Sequence, residues 1–238
     1  MKRLIVVSLV VTAILVTACT GTYESRNARD ILLHPEKFSK FVQEASQNGY
    51  YVHPENVAEQ LLNLVRNDQK LLRKIYTLYA DGKDEAFISA RALEKMKAND
   101  DDYFIKVYES TTDYYIQTEA FLKIGNLTYV KQVITEQART DTRRGSPSSA
   151  FLLIRGKEIY NTDPLFVDSL AINASDNFIR DAAIGITKNL MILDMYANLT
   201  DDVCDQSRYS PLSKSQHLAY ENFLNRIAAK QRLVELSK

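Results

Sequence analysis

The chain has 238 residues with 30 basic and 30 acidic side chains, hence no formal net charge, and 45% of it is hydrophobic. Its 7 glycines and 5 prolines fall below the usual shares of roughly 7% and 5%, which counts against β-sandwiches and barrels, whose hairpins need such turn residues. The balanced charge counts against a nucleic-acid binder, which carries a basic field, and two cysteines cannot make a disulfide framework.

In chain order, the first element is an apolar run. Lys2 and Arg3 precede it, and it extends from Leu4 to Val16. A bilayer-spanning helix needs about 20 apolar residues, more than this run offers, so the charged start and short apolar stretch read as a secretory signal. Leu15-Val16-Thr17-Ala18-Cys19 follows directly. It resembles the lipobox of bacterial lipoproteins, in which a small residue precedes an obligatory cysteine. The resemblance implies cleavage before Cys19, a diacylglycerol on its thiol and acylation of the new amino group. Several buried acyl chains then hold the protein to a membrane, each methylene adding about 0.8 kcal/mol. In Gram-negative lipoproteins an Asp after the lipidated cysteine favours the inner membrane; here Thr20 follows, which is similar to the outer-membrane class. Loss of residues 1–18 removes Lys2 and Arg3 and leaves 28 basic against 30 acidic side chains, a net charge of −2. Such a surface gives little attraction to anionic lipid, so the anchor is expected to hold the membrane by itself. Cys204 is then the remaining thiol, expected as a small, partly buried hydrophobe.

Residues 19–33 are polar and aperiodic at first and read as a lipidated N-terminus and tether. His34-Pro35-Glu36 and His53-Pro54-Glu55 predict two helix starts, because Pro needs no donor in a first turn and an early Glu complements the dipole. Beyond them a template at i, i+4, i+5 and i+8 recurs at nearly equal intervals. It reads Val57/Leu61/Leu62/Val65, Ile88/Ala92/Leu93/Met96, Ile116/Ala120/Phe121/Ile124, Ser146/Ala150/Phe151/Ile154 and Ile179/Ala183/Ile184/Thr187. A second apolar stretch follows each: Leu71–Tyr79, Tyr103–Tyr108, Leu127–Ile134, Leu165–Ile172 and Leu190–Tyr196. The joins carry Gly82, Asp100-Asp101-Asp102, Gly125-Asn126, Gly145, and Gly156 with Pro164.

A helix–turn–helix unit every thirty or so residues is the period of an α-solenoid. The segment Tyr115–Ile134 and Phe178-Ile-Arg-Asp-Ala-Ala183 resemble short bacterial HEAT-like repeats, whose small residue lets helices approach closely. The expected fold is therefore all-α over residues 34–238, as helical hairpins stacked in a HEAT-like α-solenoid. An irregular helical bundle would read similarly. Ser213 or Ser215 is a candidate cap for a last helix whose face is marked by Leu218, Tyr220, Phe223, Leu224, Ile227 and Val234, expected to close the stack.

No phosphate loop, nucleophile elbow, metalloprotease or dinucleotide motif is present in the sequence. Three histidines, His34, His53 and His217, lie far apart in sequence and do not suggest a zinc site. Asp100–Asp102 and Asp201-Asp202 with Asp205 are expected as caps and solvated turns, and Arg139, Arg143 and Arg144 as a solvated basic turn. No metal or cofactor is implied. The surplus is aromatic, with 14 tyrosines and no tryptophan. Adjacent helical residues cannot both face one core, so Tyr50-Tyr51 and Tyr114-Tyr115 are candidate partner-binding residues. The expectation is a non-enzymatic envelope lipoprotein that holds a membrane through Cys19 and binds another envelope protein. The alternatives are an envelope enzyme cutting cell-wall carbohydrate with paired carboxylates, which needs two acids in one cleft, and a structural lipoprotein with no discrete site.

Overall fold

The computed structural model describes residues 23–46, 52–80, 86–140, 145–199 and 214–238. Among these the protein is all-α, with thirteen helices and no strand. It divides into two compact units, Met1–Lys97 and Ala98–Lys238.

The first unit holds α1 (Tyr23–Leu32), α2 (Pro35–Ser46), α3 (Pro54–Val65), α4 (Gln69–Tyr79) and α5 (Ala86–Lys95). Helix α1 occupies most of the stretch expected as a tether. Its helical spacing puts Ala28 and Leu32 on one face, and both are buried, because α1 packs on α3. Pro35 and Pro54 begin α2 and α3 as expected. In the row α1–α3–α5 each helix packs on the next, while α2 lies against α1, and α4 against α5 and α3. Lys95 of α5 donates to Glu59 of α3, tying two members of that row. This hydrogen bond holds the Lys95 ammonium above its ordinary pKa.

The second unit holds α6 (Asp101–Ser110), α7 (Tyr114–Lys123), α8 (Leu127–Gln137), α9 (Pro147–Thr162), α10 (Pro164–Asn173), α11 (Asn177–Ile186), α12 (Leu190–Ala197) and α13 (Lys214–Leu236). Here α7, α9, α11 and α13 form one row, each packed on the next, and α6, α8, α10 and α12 pack alongside. Every helix from α6 to α12 starts with a side chain accepting a backbone N–H. Six of these caps come as two runs, Asp100, Asp113 and Asn126, then Asp163, Asp176 and Asn189, with the same even spacing in each. One constant shift in numbering carries the first run onto the second, so α6–α8 and α10–α12 are equivalent three-helix blocks.

All five templates fall on α3, α5, α7, α9 and α11, the helices of the closely packed rows. In four of them every residue is buried, including the alanines Ala92, Ala120 and Ala183. The copy on α9 is displaced by one residue. Ser146 is the N-cap, forming a capping box with Ser149, and Ile154 is 68% exposed. The buried register begins one residue later, at Pro147, Phe151 and Leu152, and its last place is Arg155.

Arg155 shows what that place can do. Its Nη1 donates to the carbonyls of Leu122 and Ile124, 2.7 and 2.9 Å away, at the end of α7. Its other nitrogens fork onto Glu158, and the guanidinium lies 4.8 Å from the Phe151 ring centre. Arg232 of α13 does the same for α11, donating from Nε to the Thr187 carbonyl and from Nη2 to that of Ile186 while holding Glu235. Ile124 and Thr187 are equivalent in the two blocks, so in each block an arginine clasps the same carbonyl, at the end of the middle helix. The last carbonyls of a helix lack partners within it, and a buried charged donor satisfies them.

Two expectations are corrected by this packing. Gly156 is not at a join but inside α9, buried where a Cβ would run into Ile186 of α11. A Cβ there would come too close to the Ile186 Cδ1, so that side chain would have to shift. Among the described side chains of α13 the buried ones are Asn225, Ala229 and Arg232, while of the expected face Leu224 is half-buried and Ile227 and Val234 are exposed. The arginine clasp turns that helix, because its guanidinium must reach the end of α11. The side chains of Leu218, Tyr220 and Phe223 lie outside the described residues.

Candidate partner-binding surface

The row of α7, α9, α11 and α13 leaves α6, α8, α10 and α12 with an outward side. On that side the equivalent blocks differ. In the first, α6 presents Asp102, Lys106 and Glu109, and α8 presents Thr128 and Gln132, all exposed. At the equivalent places of the second block, α10 carries Leu165, Ser169 and Ile172, and α12 carries Met191 and Met195. Leu165 is 78% and Met191 82% exposed, and Ile172, Met195 and neighbouring Leu190 are also exposed. Helices α10 and α12 lie side by side, so these five apolar side chains belong to neighbouring elements.

The positioning of both blocks is local. Asp163 and Asn189 accept the N–H groups that start α10 and α12. Asp168 of α10 accepts from the Thr187 hydroxyl and the Asn189 amide, locking the start of α12 to α10. The Tyr196 hydroxyl donates to the Ala171 carbonyl at 2.6 Å, a second tie between them. In the first block, Gln137 links the Tyr108 hydroxyl to the Ser148 N–H, joining α6, α8 and α9. Burial raises the pKa of the Tyr108 phenol. Burial also raises that of Tyr129, helped by its hydrogen bond to Glu109. The two blocks use different side chains for one arrangement.

Of the residues expected to bind a partner, Tyr114 and Tyr115 open α7 and are both exposed, Tyr115 by 72%. Their rings meet edge to face, centres 5.7 Å apart. Tyr50, Tyr51, Cys19 and Cys204 lie outside the described residues, as do Asp201, Asp202, Asp205, Arg143 and Arg144. Arg139 is an exposed residue after α8. Asp100 caps α6 through the Tyr103 N–H, and Asp101 accepts from the Gly125 N–H across the α7–α8 turn. His34 lies between Asp30 and Glu36 at the start of α2. Among the described residues no three His, Cys, Asp or Glu side chains converge as a metal site, and no helix is long and apolar enough to cross a membrane. Shallow depressions occur among the described residues. One, lined by Lys230, Gln231, Val234 and Glu235, contains a single carboxylate; another, lined by Arg73, Lys74, Thr77 and Leu78, contains none.

The apolar outward face was not singled out from the sequence, although a signal was present. Aligning the caps Asp100, Asp113 and Asn126 with Asp163, Asp176 and Asn189 sets Thr128 against Met191 and Gln132 against Met195. That comparison separates residues the scaffold needs from residues it does not.

The class defined by these observations is an all-α helical protein, bundle or solenoid, with exposed apolar side chains on two neighbouring helices of its second unit. No family of known proteins, no curated protein and no solved structure matches the chain.

Proposed function

We propose that this chain is a lipid-anchored bacterial envelope protein whose helical body binds another envelope protein. The anchoring half rests on the lipobox-like run ending at Cys19, and Thr20 favours the outer membrane over the inner. The binding half rests on one observation: the outward faces of α10 and α12 are apolar where their equivalents on α6 and α8 are polar. The fold is satisfied by polar residues there, so the apolar set serves something other than folding. Apolar side chains exposed together on neighbouring helices suit an interaction site, and methionine adapts to a partner's shape. Tyr114 and Tyr115 add a second exposed aromatic feature, on α7.

Each half has its own test. Cys19→Ala is expected to accumulate as unprocessed precursor without lipid label, and equal labelling of mutant and native chains would overturn the anchor. The native chain captured from solubilised envelopes is expected to bring a stoichiometric protein with it, and Met191→Gln with Met195→Gln to lose that protein. Retention of the same protein by the double variant would remove this face from the proposal.

A further inference from the structure

The mature charge of −2 hides a local asymmetry in the first unit. Helix α4 buries Leu71, Leu72, Ile75 and Tyr79, and its other side carries Lys70, Arg73, Lys74, Thr77 and Leu78, spaced so that they share one face. The Lys97 N–H donates to the Gln69 side chain at 2.8 Å, which sets a fourth basic residue beside the start of that face. Like charges four residues apart repel, and among the described residues no carboxylate lies within ion-pair distance of Lys70 or Lys74. Asp68, the acid next to this face, is taken up as the N-cap, accepting from Leu71, and lies 3.9 Å from Arg29. The face also holds the open depression of about 500 Å³ lined by Arg73, Lys74, Thr77 and Leu78. The Thr77 hydroxyl there donates to the Arg73 carbonyl at 3.0 Å, so what the face offers a headgroup and the start of an acyl chain is the exposed Lys70 and Lys74 ammonium groups and the exposed Leu78.

We propose that the outward face of α4 lies on an anionic phospholipid surface, that of the membrane holding Cys19. Helix α1 begins at Tyr23, so Thr20, Gly21 and Thr22 alone separate it from Cys19. That stretch spans no more than about 14 Å, which keeps this unit close to an anchored lipid. Such proximity turns a weak headgroup contact into an intramolecular one. The placement on that particular membrane rests on the anchoring proposed above; the affinity for anionic lipid does not.

The experiment uses the chain from residue 19 with Cys19→Ser, which carries no lipid. It is sedimented with vesicles of phosphatidylglycerol and phosphatidylethanolamine, and with vesicles of phosphatidylcholine alone. Binding is expected to the anionic vesicles only, falling at least about tenfold as salt rises from about 0.05 to 0.3 M, because exposed charges are screened over about 8 Å at physiological salt. Lys70→Gln with Lys74→Gln is expected to lower partitioning about twenty-five-fold, each cation at an anionic surface being worth about fivefold. Both side chains are solvent-facing, and an unchanged circular-dichroism melt confirms that the variant is folded. Absence of binding, equal binding to both vesicle types, or an unaffected double variant would overturn the proposal. Retention on an acidic polypeptide but not on anionic vesicles would overturn it in favour of a protein partner. Lipid labelling of Cys19 is a separate readout, so the anchor and the headgroup contact fail independently.

Discussion

The blocks α6–α8 and α10–α12 share their caps, their turns and the arginine clasp that follows each, yet their outward faces have opposite chemistry. Asp102, Lys106, Glu109, Thr128 and Gln132 on one correspond to Leu165, Ser169, Ile172, Met191 and Met195 on the other. The comparison separates two kinds of requirement. Whatever the blocks have in common serves the stacking of hairpins, and a position that tolerates either polarity is not fixed by folding. The apolar side chains of α10 and α12 stand where the equivalent block carries polar ones, and it is on this difference that the proposed binding of a partner rests.

The shared scaffold is the part of this comparison whose loss is expected to cost most. Arg155→Met and Arg232→Met each leave helix-end carbonyls without their charged donor, and each is expected to lose about 2–3 kcal/mol in urea unfolding. Lysine in either place is expected to restore little, because it lacks the planar fork that reaches two carbonyls and a glutamate together. A large loss for one arginine and none for the other would show that the blocks are not equivalent.

The two helical glycines come next. Gly156→Ala is expected to destabilise by about 1–3 kcal/mol, since its methyl would meet Ile186. At Gly185 a Cβ has nothing within 4 Å, so Gly185→Ala is expected to stabilise by about 0.5–1 kcal/mol, the helix propensity gained. Paired thermal melts check both signs, and a stabilising Gly156→Ala would show that α9 and α11 do not meet there.

Exchanging the faces themselves is expected to leave stability within about 0.5 kcal/mol. Met191→Thr with Met195→Gln is expected to lower binding of an apolar fluorescent dye and to abolish partner capture. Thr128→Met with Gln132→Met is expected to raise dye binding without gaining the partner. Equal dye binding by the two variants would mean that the difference between the blocks is not one of exposed apolar surface.

The smallest expected effect is at the cap of α10. The Lys131 hydrogen bond and the Phe166 N–H hold Asp163 below its ordinary carboxyl pKa of 3.8. A depressed folded value contributes stability that is present above the unfolded pKa and lost as pH falls through the folded one. Lys131→Ala is therefore expected to lower stability slightly at pH 7 and to merge with the native chain in the acid limb below about pH 4. Identical acid unfolding curves for the two chains at every pH would remove the contribution.

Much of this organisation was legible in the sequence, because helical hairpins write themselves as short-range periodicity. The all-α class, the proline starts of α2 and α3, and the five stretches that became α4, α6, α8, α10 and α12 follow from apolar spacing and turn residues. The template worked where the buried set is wholly apolar, as on α5 and α7. It slipped by one residue on α9, where an arginine takes the last place, and it missed the buried face of α13, which includes Asn225 and Arg232. Arg232 is buried because the carbonyls of Ile186 and Thr187 accept from it, and apolar spacing carries no record of such distant acceptors. The same limit explains Gly156, expected as a breaker and found as the contact point of two helices.

By itself the sequence determined the helical class, the approximate period, the proline starts of α2 and α3, the cap in the Asp100–Asp102 cluster and the lipobox-like run at Cys19, since each depends on residues a few places apart. The tertiary structure decided which helices form the close row, and with it which apolar residues are core and which are left outside. Leu165 and Leu170 stand in one helix with similar sequence signals, yet one is exposed and the other buried. The difference lies in what each faces across the chain, and that depends on neighbours far away in sequence.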